Sequence, residues 1–320
     1  MIIASGTTIP RTDLRSALVE FMPDVVPIGG LLYPWFEVPD QTGYFGRVPK
    51  ESTMGIPNTD RSTDGSYNRQ KGKLEDDSWA TRERGMEEPL DNRQARLFRN
   101  YIDYERVRAI RLASIMARVH EQAVVAAVHN TTTYTQSGNT GLAVTNEWDD
   151  NANCVPIDDV HAGLRGIRAR CGLTADTLQI AWRTAFDLSR SSQILDRLKY
   201  TSQPPGLLPT TELAAALGIK RVIVGNQPYN TANDGVAETI GELWDPEYAF
   251  LAVTAAGMDI EANCVGRTMY WNEDGSAGPE PLFEEYVEDR VRSSVLRVRH
   301  EWVLKTLDSS CGFLFSNIKT

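Results

Sequence analysis

The chain holds side chains able to do chemistry, but their spacing matches no catalytic or metal-binding pattern. Its four histidines are His120, His129, His161 and His300, and its four cysteines are Cys154, Cys171, Cys264 and Cys311. His120 and His129 are nine residues apart, which puts them on opposite sides of a helix. Cys154, His161 and Cys171 are neighbours in sequence, yet their intervals fit no zinc site. His300 lies on an apolar strand face and Cys171 on an apolar helix stripe, so both read as core residues. HExxH, GxSxG and CxxC are all absent. Gly72-Lys73 has neither the earlier glycine nor the following hydroxyl residue of a phosphate loop. Asp60 to Gly65 opens like a calcium loop, but its twelfth position is Lys71, where a bidentate Glu is required. In Asp149-Asp150, Asp158-Asp159 and Glu284-Glu285 the two carboxylates are sequence neighbours and point apart, which suits caps and solvated faces better than acid–base work. Asn130-Thr131-Thr132 is a formal glycosylation sequon in a chain without a secretion signal. No catalytic, cofactor-binding or metal-binding residue is assigned, and the chain is read as a non-enzyme.

Composition narrows the choice further. The chain has 320 residues, 41% hydrophobic and 24% charged, so it can build a core. No apolar run reaches the 18 residues of a membrane helix, so no membrane partner is expected. Sparse, scattered cysteines point to reduced thiols and not to a disulfide framework. The net charge is −10, and residues 131–290 alone carry −12. Such a chain lacks the dense basic surface of a dedicated DNA-binding protein.

The elements that would position these residues come in an unusual order. Residues 1–35 read as an arm, with one short helix over Arg11 to Phe21 and then breakers at Pro23, Pro27 and Gly29-Gly30. Phe36 to Val48 suggests one strand and Leu74 to Arg82 another. Between them, Lys50 to Ser78 has four large apolar residues: Met54, Ile56, Tyr67 and Leu74. That segment is either a surface loop or a long two-stranded ribbon projecting from the body, which would need a neighbouring subunit to rest on. Residues 87–130 read as one helix about 60 Å long, opened by Glu87, Glu88 and Pro89. Phe98 and Ile102 stripe its first half. In its second half Ala109, Ala113, Met116 and Val124 make one stripe, and Leu112, Ile115 and Val119 another. Its seven arginines suit a solvated face paired with acids, or contact with nucleic acid. Ile157, Val160, Leu164, Ile167 and Cys171 form one helical stripe, entered by Pro156 and closed by Gly172. A strand at Leu178 to Trp182, a helix over Thr184 to Lys199, a helix over Pro209 to Leu217 and strands at Arg221 to Gly225 and Phe250 to Val253 follow. Leu296, Val298, His300, Trp302 and Leu304 alternate with Arg297, Arg299 and Glu301, which marks a long half-buried strand. Phe313 to Ile318 is a last strand. The fold class is α+β.

This order resembles the major capsid proteins of tailed bacteriophages with the HK97-type fold. The resemblance is carried by Ile194 to Thr201, the short helix Thr210–Leu217, Gly218 to Gly225, Tyr229 to Thr231, Leu243-Trp244 and Phe250 to Val253. It implies an HK97-like fold with an N-terminal arm (1–35), an extended β-hairpin loop (36–85), and a peripheral domain (86–149) with spine helix 87–130. An axial α/β domain (150–265) and peripheral return strands (266–320) would complete it. It further implies self-assembly into pentamers and hexamers of an icosahedral shell around phage double-stranded DNA, touched non-specifically. The shell would form in the host bacterial cytoplasm and belong to the virion capsid. No cofactor is implied. The partners implied are copies of the chain itself, a separate scaffolding protein, a portal protein and a decoration protein. Tyr44, Phe45, Arg47, Lys50, Trp79, Arg82, Arg96 and Arg99 would lie at subunit interfaces. The alternatives are an encapsulin-like cellular shell protein, which resembles the same fold, and a soluble α/β enzyme.

Overall fold

A computed structural model describes residues 9–10, 27–50, 54–61, 63–69, 71–93, 96, 104–135, 140–198, 208–232, 235–237, 239–255, 262–272 and 278–319. The expected arm helix, Phe98, Arg99 and Ile102 lie outside them.

Two large sheets organise the described residues, with two two-stranded ones beside them, one of which pairs β9 (Pro228–Asn230) with β10 (Ile240–Glu242). The first is built on β14 (Ser293–Thr306), the longest strand, which pairs antiparallel with β13 (Leu282–Glu288), β12 (Gly266–Trp271) and β5 (Arg82–Asp91). β2 (Trp35–Val38) adds parallel to β12, and β1 (Ile9–Pro10) pairs antiparallel with β13. Leu296, Val298, His300 and Trp302 of β14 are buried, while Arg297, Arg299 and Glu301 on its other face are only partly covered, as the alternation requires.

The second sheet runs β6 (Gly141–Ala143), β15 (Gly312–Ser316), β11 (Ala249–Ala252), β7 (Thr177–Ala181), β8 (Arg221–Gly225). Every residue of β7, β11 and β15 is buried, the pattern of strands covered on both faces. β6 and β15 therefore pair with the central α/β segment, although the sequence groups 141–143 and 312–316 with the other sheet. A crossover of three helices joins the parallel pair β7 and β8. These are α4 (Trp182–Leu188), α5 (Ser192–Leu198) and α6 (Thr210–Leu217). α3 (Pro156–Cys171) packs beside them, with Pro in its first turn and Gly172 closing it at φ 73°. Gly218 closes α6 in the same left-handed conformation.

The remaining long helix, α2 (Tyr104–Val128), serves both halves. Ala109, Leu112 and Met116 pack on Phe283, Leu296 and Val298 of the first sheet. Val124 and Val128 enter the large core around the second sheet.

Four expectations need correction. Residues 87–91 are strand and not the start of a helix, because the exposed edge of β14 pairs with them from Ser293↔Asp91 to Trp302↔Arg82. Pro89 is tolerated because β5 pairs only with β14 among the described residues, so one edge of β5 is open. The single helix expected over 184–199 is broken between α4 and α5. There Ser189 Oγ donates back to the Ala185 carbonyl at 2.8 Å and accepts from Leu208 N–H, a local alternative to helix bonding. The strand expected over Phe36 to Val48 is two: β2 joins the first sheet, and after a break at Pro39 to Gln41, β3 (Thr42–Arg47) forms the ribbon with β4 (Glu75–Ala80). Val119, assigned to a buried stripe, is 37% exposed.

Candidate functional site

The described residues hold no group of His, Cys, Asp and Glu able to bind a metal. All four cysteines are free and buried. None of the helices there is long and apolar enough to cross a membrane. A cavity of about 420 Å³ is lined by His129, Arg183, Glu242, Asp245, Tyr229 and Tyr248, among others, with no Ser, Cys or Lys. Arg183 Nε donates to Glu242 at 2.8 Å across it, and His129 Nε2 meets Gln179 Oε1 at 3.2 Å. Arg183 and Glu242 thus pair with each other, and no Ser, Cys or Lys of the lining stands beside His129 as a nucleophile.

The ribbon is the conspicuous surface. Its two strands pair from Thr42↔Ala80 to Arg47↔Glu75. Pairing fixes two faces. Gly43, Phe45, Arg47, Asp77 and Trp79 are partly covered, while Tyr44 stands on the other face, 82% exposed. Trp79 lies directly over Gly43, where no β-carbon would fit, and stacks with Phe45 at a centroid distance of 6.1 Å. Its Nε1–H donates to the Asp40 carbonyl at 3.0 Å. Phe45 and Trp79 thus brace the stem together, and Tyr44 takes no part in it.

The ribbon does not project freely. It is tied to its own body at three levels. At the root, Thr81 Oγ1–H donates to Glu301 Oε1 at 2.7 Å. In the stem, Lys305 Nζ meets Asp77 Oδ1 at 2.6 Å. Slight burial alone would raise the Asp77 carboxyl, but Lys305 and the Ser78 N–H hold it below the usual range. Past the stem, Lys50 Nζ pairs with Asp308 Oδ2 at 2.6 Å and donates to Ser310 Oγ. Asp308 is itself buried, which would raise its carboxyl. Lys50, Ser310 and Asn263 outweigh that and lower it strongly. Beyond the paired strands, Val48, Met54, Ile56, Tyr67 and Leu74 are all exposed, Ile56 at 99%. Five large apolar side chains left exposed along one segment suit a surface that something else covers.

The remaining candidates scatter. Arg82 and Arg96 are exposed, on β5 and just beyond it. Arg84, which sequence reasoning passed over, stacks on Trp302 at 3.7 Å and donates to its carbonyl at 2.7 Å. Arg108 is buried and donates to the carbonyls of Glu88 and Ser294, tying α2 to β5 and β14.

Two buried polar assemblies were also missed. Glu121 of α2 accepts from Ile28 N–H at 3.0 Å and Trp244 Nε1–H at 2.8 Å on Oε1, and from Gly29 N–H at 2.8 Å on Oε2. It thereby joins the short helix α1 (Gly29–Leu32) and the Trp244 segment to α2. Burial pushes its carboxyl up, and those three donors oppose the shift. Trp35 lies between His120 and His300, with ring centroids at 4.5 and 5.0 Å. Burial, then His300 and Arg84, push His120 down to about 3, and burial pushes His300 down to about 4 against a hydrogen bond with the Gly278 backbone. Their signal in sequence was only the apolar neighbourhood of His300.

No family model and no curated protein matches the chain. Solved structures do. A phage-related protein from Bordetella bronchiseptica RB50 aligns with a TM-score of 0.71 at 18% identity, over 98% of this chain and 98% of that one. The capsid of cyanophage P-SCSP1u aligns at 0.58 and 11% identity, over 89% of this chain and 86% of that one. The chain has the HK97-type capsid fold. The same fold appears in a virus-like particle from Pyrococcus furiosus, at a TM-score of 0.55 and 11% identity over 95% and 98% of the two chains.

Proposed function

We propose that this chain is a major capsid protein, a structural non-enzyme whose copies form the pentamers and hexamers of an icosahedral shell around phage double-stranded DNA. The observation that carries this is the likeness to a phage-related protein over 98% of the chain and to a cyanophage capsid over 89% of it, a match of whole folds and not of one motif. The exposed apolar tip supports it, because a neighbouring copy would cover what a lone chain leaves in water. In this reading 1–35 is the arm, the ribbon is the extended loop, the first sheet with α2 is the peripheral domain and the second sheet is the axial domain. Tyr44, Phe45, Arg47, Lys50, Trp79, Arg82, Arg96 and Arg99 would meet neighbouring copies. A net charge of −10 suits a wall that confines DNA without gripping it. A scaffolding protein, a portal protein and a decoration protein would be its partners, with assembly in the host cytoplasm and residence in the virion capsid.

A second reading, a cellular shell of the encapsulin type, draws on the match to the Pyrococcus furiosus particle. Electron microscopy of the chain expressed alone and with its neighbouring genes tests both. Closed particles support a shell, and their contents separate the two: double-stranded DNA for a capsid, a protein cargo for an encapsulin. Discrete monomers or dimers under both conditions would overturn both readings.

A further inference from the structure

We propose that the Lys50–Asp308 and Asp77–Lys305 pairs form a latch that holds the ribbon on its own body and restrains assembly until it opens. This rests on the shell reading. The body side of the latch has hydrogen bonds of its own that do not involve the ribbon. Asp308 caps the short 3₁₀ turn Ser309–Cys311, accepting from Ser310 N–H at 3.0 Å and Ser310 Oγ–H at 2.6 Å, and from Asn263 Nδ2–H at 3.2 Å. Its other nearby donor is the Cys311 thiol, at 3.6 Å. That leaves a buried carboxylate with the Arg170 guanidinium in electrostatic reach and its direct ion pair supplied from a distant segment, by Lys50.

The two pairs run with opposite polarity. The ribbon offers a cation at Lys50 and an anion at Asp77, and the body offers Asp308 and Lys305. Crossed signs fix the ribbon's direction and place on the body, since a shifted ribbon would bring like charges together. A third contact extends the line: the Met54 methyl lies 2.8 Å from where a β-carbon on Gly172 would be, so Met54 rests on the end of α3.

In this position the ribbon rests on its own body, while Val48, Ile56, Tyr67 and Leu74 stay in water. A hairpin paired over six residues a strand is marginal by itself, so the latch decides where it spends its time. A neighbouring copy can capture the apolar tip only in competition with that contact. Each partly buried, charge-assisted pair of this kind favours the closed position about five- to thirtyfold.

The test uses the full chain and leaves the Asp308 network intact; the single variants change the ribbon side, and one double variant also changes Lys305. The variants are Lys50→Gln, Asp77→Lys, the conservative Lys50→Arg, and Asp77→Lys combined with Lys305→Asp, which rebuilds the stem pair with reversed signs. Hydrogen exchange in dissociated subunits reads amides of Thr42–Arg47 and Glu75–Ala80, and light scattering reads shell formation. Lys50→Gln and Asp77→Lys should exchange about five- to thirtyfold faster there and assemble with a shorter lag. Lys50→Arg and the reversed pair should return both readouts towards wild type. Unchanged exchange would overturn the latch. Faster exchange with unchanged or slower assembly would overturn the restraint and make the pairs a support of the finished shell. A wild-type chain that forms no shell under any condition would overturn the shell reading itself.

Discussion

Glu121 offers a graded test of how the two halves are joined. Its carboxylate is the shared acceptor for Ile28 N–H, Gly29 N–H and Trp244 Nε1–H, all in the interior. Glu121→Ala removes every acceptor at once. Each orphaned buried donor costs about 1–3 kcal/mol, so with partial relaxation the loss should be about 3–6 kcal/mol. Glu121→Gln is a milder change. An amide oxygen in the place of Oε1 keeps Ile28 and Trp244, while the amide nitrogen confronts Gly29 N–H, for a loss of about 1–2 kcal/mol. In a chain of this size a kcal/mol moves the melting point by about 2 °C, so the drops should be about 6–12 °C and 2–4 °C. Thermal unfolding of dissociated subunits by circular dichroism measures both. Hydrogen exchange at Ile28 to Tyr33 should accelerate most, since those amides lose their anchor directly. An Ala variant no worse than the Gln variant, or a loss under about 1 kcal/mol, would refute the claim that one carboxylate ties α1 and the Trp244 segment to α2.

Three other outcomes follow from the same structure. Trp79→Ala should cut shell yield about tenfold while lowering the subunit's melting point by under about 2 °C, because the indole braces the ribbon and neither core; equal losses in both would contradict this. Ile56→Asp, at a side chain 99% exposed in the single chain, should leave subunit stability within about 0.5 kcal/mol and suppress assembly, as turbidity would report. Stability should fall in mild acid. His120, His129 and His300 are held neutral by burial, at about 3, about 4 and about 4. Their folded values lie below the unfolded value of about 6.5, so their contribution is full above that pH and is lost as pH falls towards the folded values. Each adds a slope of up to about 1.4 kcal/mol per pH unit, and urea midpoints at pH 7, 6 and 5 that stay level would be inconsistent with it.

How much of this was legible in the sequence depends on how local each cause is. α3 was readable because its signals lie within it: Pro156, the acidic first turn, one apolar stripe and Gly172. β14 was readable because strict alternation survives in a half-buried strand. β5 was not. Glu87, Glu88 and Pro89 are the residues of a helix start, and only the long edge of β14 makes them strand. The break between α4 and α5 needed Leu208 to meet Ser189, a partner 19 residues away. The ribbon's polar composition signalled an extension from the body. The sequence could not show that the ribbon folds back, since Lys50 and Asp308 are 258 positions apart in number and meet only through the fold. Glu121 gave no signal for the same reason: its donors lie 92 or more residues away.

The mass of the assembled particle tests the central claim most directly. Purified protein, with scaffold supplied, should appear by mass photometry as a closed species of about 60 copies or more, since icosahedral closure sets that minimum. With a chain of 35.6 kDa this puts the particle at about 2 MDa or above. A single population at or near the 35.6 kDa of one chain, unchanged by scaffold and concentration, would contradict it.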